Sequence, residues 1–239
     1  TFTGAVGGSA ALGNTTIGTA VLTGAAIKAQ GTLAITNSGT SSITGIISDG
    51  SSAAILTKAG AGSLTLSGDN TYTGATTVSA GVLSITHADA LGGTSGATTV
   101  ADGAYLKLSN GINVAEAITI SGTGISNSGV IQSNSGDNTL SGQITLAAHS
   151  AIYSYSGTLT LDVSSSSSIT ASDKNITFGG SGNITVEDPI ATGSGTLYKG
   201  GSGTLTLSAA NTYTGATTIQ QGVLIATNAT SLGTTDGAT

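Results

Sequence analysis

Laid over one another at an offset of 141, residues 62–98 and 203–239 agree at 24 of 37 positions, and the string NTYTGATT recurs letter for letter from Asn70 and from Asn211. The match extends upstream, where Leu56, Lys58 and Gly60 fall on Leu197, Lys199 and Gly201. Ile35-Thr36 and Ile43-Thr44 likewise fall on Ile176-Thr177 and Ile184-Thr185. The chain is thus about 1.7 copies of one long unit, with the repeat at 56–98 and 197–239. A stack of coils takes up such a unit by growing longer, whereas a closed sandwich has no place to add it.

A shorter rhythm runs inside the unit. SLTLS (63–67), VLSIT (82–86), YLKLS (105–109), AITIS (117–121), QITLA (143–147), TLTLDV (158–163), NITFG (175–179) and NITVE (183–187) place apolar residues at alternate positions, the pattern of half-buried strands. No helical period of useful length competes; GINVAEAITI comes nearest and turns back into strand. With 38 Gly and a single proline, Pro189, the turns fall to Gly, Asn, Asp and Ser, which bend the chain without cutting a hydrogen-bond ladder. A sandwich core calls for large side chains, and this chain has no Trp, no Met, two Phe and six Tyr. Small aliphatic residues stacked in a narrow core fit better. The reading is an all-β chain folded as a right-handed parallel β-helix, a β-solenoid of roughly ten to twelve coils, as one continuous segment over residues 1–239.

Eleven acids against five Lys, with no Arg, leave a net charge of -6 and only 7% charged residues. Nucleic acid and a membrane surface both demand clustered cations, so neither is an expected partner. No run of about 18 apolar residues could span a bilayer. Cys is absent, which removes disulfides and thiol chemistry together. Thr1 is not followed by a charged-then-apolar leader, and the chain is expected to be an interior piece of something longer or a processed product.

The repeated positions are Gly60, Gly62, Leu64, Leu66, Asn70, Tyr72, Gly74, Gly81 and Leu83, then Gly201, Gly203, Leu205, Leu207, Asn211, Tyr213, Gly215, Gly222 and Leu224. With Lys58 and Lys199, and with Ala90-Leu91-Gly92 and Ser231-Leu232-Gly233 downstream, they form a pattern close to L-T-K-x-G-x-G-x-L-T-L-x-G-x-N-T-Y-x-G. This resembles the passenger-associated repeat of bacterial autotransporters, over about a third of the chain. Tyr198 departs from the pattern's Thr and Ala209 from its Gly. The resemblance implies an extracellular β-helical passenger of a large surface protein, exported in Gram-negative fashion, of the kind that serves in adhesion, aggregation, biofilm or filament formation, or as a stalk.

The residues themselves offer little catalytic material. Acids are scattered, and in the one adjacent pair, Glu187-Asp188, neighbouring strand residues point to opposite faces. His87 and His149 sit in unlike contexts without Cys, so neither a triad nor a zinc site is expected. GGSGNITVE, from Gly179, has Ile184 where a calcium β-roll would have Asp. GTGISNSG and GAGSLTL lack a helix to cradle phosphate, and the run 164–168 reads as a solvated coil or Ser ladder. Tyr72 and Tyr213 are expected to pack at a coil corner with the hydroxyl on a backbone group.

The expectation is a non-enzymatic structural or adhesive rod without cofactor or metal, on the bacterial surface or secreted. It would associate with itself head-to-tail or laterally, and a glycan or protein receptor on a cell surface is its other expected partner. Two alternatives stay open: a carbohydrate-active β-helix enzyme using Glu187 or Asp188, and an ice- or surface-binding solenoid. The second would need T-x-T on one face of every coil, while TYT and TLT recur only at long intervals along the chain.

Overall fold

The computed structural model describes residues 6–7, 10–19, 23–24, 26–164 and 166–234. Among them there is no α-helix, only the 3-10 turn Ile125–Asn127, and parallel strands stack into a β-solenoid of about ten coils. No helix is long and apolar enough to cross a membrane.

Each full coil offers three faces. On the first, Thr15 lies opposite Leu33, and the ladder continues through Leu56, Thr76, Thr98, Ile118, Ile144 and Ile169 to Ile190. The second runs from Leu64 through Leu83, Leu106, Ile131, Ile152, Phe178 and Lys199 to Ile219. The third carries Val114, Leu140, Leu161, Val186, Leu207 and Ala226 in register. Along the first-face ladder from Thr15 to Ile190, coil length varies from 18 residues, between Thr15 and Leu33, to 26, between Ile118 and Ile144.

This variation displaces the repeat. Starting at Leu56, six steps down the first face reach Ile190, and Leu197, the counterpart of Leu56, lies one face further on. The 141-residue unit therefore spans six coils and one face. Its two copies look out from different sides of the rod.

Alternation puts one side chain of each pair inside. Ser63–Leu66, Thr158–Leu161 and Thr204–Leu207 share the pattern of half-buried then buried residues, and the Leu, Ile and Val of successive coils stack in one continuous core. Burying each such side chain contributes roughly 1.5–3 kcal/mol before the ordering of the chain is set against it. Only a narrow core results, so large residues are rare within it: Phe178, Tyr72 and Tyr213 are the aromatic members.

Candidate functional site

The conserved letters of the two copies occupy corners and core columns. Leu64, Leu66, Leu83, Leu205 and Leu207 are buried, while Leu224 packs against the core from a partly buried position. At the corners successive coils come too close for a side chain. A Cβ on Gly62 would run into the Gly39 carbonyl, and one on Gly203 into that of Gly182. Gly74 and Gly215 meet Ala54 and Gly195 in the same way, and Gly60, Gly81, Gly201 and Gly222 add a positive φ of 70–78°.

Asn70 and Asn211 join three coils each. The Asn70 side-chain oxygen accepts the Ile47 N–H at 2.8 Å, and its amide donates to the Ala90 carbonyl at 2.6 Å. Asn211 takes the Ile190 N–H at 2.7 Å and donates to Ser231. Tyr72 is fully buried, and its hydroxyl meets the Thr76 hydroxyl at 2.6 Å; Tyr213 and Thr217 repeat the contact at 2.8 Å. The partner is thus a side-chain hydroxyl and not the expected backbone group, because the ring reaches the next face of the coil before its tip ends. Both tyrosine hydroxyls are pushed up in pKa by burial. Over each ring sits a glycine with positive φ, Gly92 or Gly233, whose added Cβ would lie 2.9 Å from the ring's Cε2.

Lys58 belongs to this set. It occupies a core column between Ile35 and Val78 and has no exposed surface. Its ammonium donates to the carbonyls of Ala59 and Gly60, both at 2.8 Å, and of Ala80 on the next coil at 3.1 Å. Lys199 repeats the cradle with Gly200, Gly201 and Gln221 at 2.7, 2.8 and 3.1 Å. Three charge-assisted bonds replace lost water. Burial nonetheless pushes Lys58 down to about 8, and Lys199 in the same direction. The third bond of each cradle, to Ala80 or Gln221, joins one coil to the next.

Several titratable groups elsewhere are occupied in the same fashion. Asp188 accepts the Val163 N–H and the Ser168 hydroxyl, while Glu187 is exposed. Ser168 is buried and Ser167 half-buried, so the run 164–168 is fully solvated only at Ser164 and Ser166 among the described residues, with Ser165 outside them. His149 accepts the Asn175 N–H at 2.9 Å. Glu116 is buried, takes the Thr98 hydroxyl at 3.3 Å, and is pushed up to about 8 by desolvation.

The outer surface is ordered where the sequence looked irregular. Thr57, Thr77, Thr99, Thr119, Thr145 and Thr170 lie in register on the first face, one per coil. Exposed Ala75, Ala97 and Ala117 accompany the rank. A second rank, Thr139, Thr160, Thr185 and Thr206, lines the third face. At about 4.8 Å per coil the longer rank extends about 24 Å. The expectation that threonines meet only at long intervals holds along the chain but not across coils.

Residues 56–85 and 197–226 each match the family described as the passenger-associated-transport-repeat, together a quarter of the chain. No curated protein and no solved structure matches it.

Proposed function

Because this chain is a β-solenoid that carries the passenger-associated-transport-repeat twice, as an autotransporter passenger does, we propose that it forms part of a surface-exposed or secreted rod. Its work is mechanical and adhesive, without a catalytic step. The observation that carries this reading is the six-coil threonine rank on the first face, uncharged on a molecule of net charge -6. Like-charged rods repel, and a neutral, hydroxyl-bearing flat face is where two of them can approach side by side. Lateral association through this face would produce aggregation or biofilm.

Replacing Thr77, Thr99 and Thr119 with Lys tests the proposal in particles or cells that display the chain. Clumping is expected to disappear while the circular dichroism of the β-solenoid stays unchanged. Clumping that persists at full strength rules out the first face as the contact.

The same rank supports a second reading, in which regularly spaced hydroxyls order water at an ice or mineral surface. Thermal hysteresis in dilute solution, lost in the same triple variant, distinguishes it from contact between rods.

A further inference from the structure

Asp69, His87 and Asp89 stand 18 and 20 residues apart but converge where two coils stack at the third-face corner. One ligand atom from each lies within 4.8 Å of the others. The Asp69 and Asp89 carboxylates come together there, and His87 Nδ1 lies beside Asp89 as a contact that is ionic only when the imidazole is protonated. Among the described residues no lysine forms an ion pair with either carboxylate. His87 Nδ1 accepts the Asp89 N–H at 3.2 Å and lies 3.8 Å from Asp89 Oδ2, so its lone pair is held by a long bond beside the cluster and reaches a cation by giving that bond up.

The repeat supplies a control for this cluster: the corresponding corner of the second copy holds Ala210, Asn228 and Thr230. That corner keeps the same Asn, Tyr and Gly geometry with all three ligand types gone, so the architecture requires none of them.

We infer that Asp69, His87 and Asp89 form a binding site for a borderline divalent cation of the Zn²⁺ class. One imidazole and two carboxylates give a three-ligand set that leaves positions for water, and the imidazole favours Zn²⁺ over Ca²⁺. The ligand atoms must close from 4.8 Å to the spacing set by bonds of about 2.0–2.2 Å, which rotation of the exposed Asp69 and Asp89 side chains supplies. The cation on Nδ1 replaces the long bond from the Asp89 N–H. It would clamp two successive coils in the first copy alone. This inference is independent of the adhesive reading.

Isothermal titration of the full chain with ZnCl₂ at neutral pH tests it. One saturable site per chain is expected, with CaCl₂ at least tenfold weaker. Exchanging the three residues for their second-copy counterparts, Asp69→Ala, His87→Asn and Asp89→Thr, should weaken Zn²⁺ binding at least tenfold and leave circular dichroism unchanged. His149→Asn should change nothing. If the triple variant does not fold, His87→Asn alone serves and must show the same loss. No saturable binding by the unaltered chain, equal affinity in the exchanged variant, or equal affinity for Ca²⁺ overturns the site.

Discussion

The Lys58 ammonium sits 3.1 Å from the carbonyl of Ala80, a residue one coil further along the chain, and so a charge buried in one coil is satisfied only when the next is in place. Lys199 and Gln221 stand in the same relation. Replacing Lys58 with Met keeps the packing volume but strips three carbonyls of their donor. The expected cost is about 1–3 kcal/mol, since part of the lost bonding is offset by no longer burying a charge. Because neighbouring coils of a solenoid unfold semi-independently, hydrogen exchange of the 80–85 amides reads this better than a global midpoint. Unchanged protection there would contradict the cradle.

Asn70→Ala leaves the Ile47 N–H and the Ala90 carbonyl unpartnered in a buried corner. A loss of about 2–4 kcal/mol is expected, from two unsatisfied backbone groups. Asn70→Asp keeps the acceptor but sets a carboxylate against the Ala90 carbonyl, and should be no better than Ala at neutral pH. Urea denaturation of both variants checks this.

Gly74→Ala should destabilise by about 2 kcal/mol or more, because the new methyl meets the Ala54 carbonyl of the neighbouring coil. Ala75→Val, at the exposed next position, should stay within about 0.5 kcal/mol. Thermal melts that place the two variants together would count against the close approach of the coils.

Stability in chelator-treated solution should pass through a minimum near pH 8. Glu116 is raised from 4.5 to about 8, so the folded chain holds a proton that the unfolded chain releases. That contribution is complete below 4.5 and is lost as pH rises through 8. Lys58 is lowered from 10.5 to about 8, so above 8 the unfolded chain holds the extra proton and stability recovers toward pH 10. Beyond 10 the buried Tyr72 turns the trend down again, because its raised pKa keeps it protonated only when folded. Melting temperatures from pH 5 to 10 test the profile. Glu116→Gln should flatten the falling limb and Lys58→Met the rising one.

The sequence made the repeat and the strands plain, because alternation such as SLTLS is local and the 141-residue match is long. It even placed Lys58 on the same side as Leu56, two positions away, although a lysine on an inward position is rare enough that its burial was not inferred. Coil length was hidden. The steps from Thr57 to Thr77, Thr99, Thr119, Thr145 and Thr170 are unequal, so no fixed period reveals the rank. The face-to-face displacement of the two repeat copies was hidden for the same reason. Asp69 and His87 meet only because one coil at that corner takes about the number of residues that separates them, which depends on where the Gly corners fold.

The register of the threonine rank underlies both the architecture and the adhesive face, and the chain's lack of cysteine makes it directly measurable. Thr119 and Thr145 are separated by 26 residues but stand opposite one another on adjacent coils. Cysteines placed at both positions should close an intramolecular disulfide under mild oxidation, as mass spectrometry of the peptides would show, since neighbouring parallel strands hold Cα atoms within disulfide reach. Free thiols at Thr119→Cys and Thr145→Cys, together with ready closure of Thr119→Cys with Ala147→Cys, would contradict the register and with it the rank.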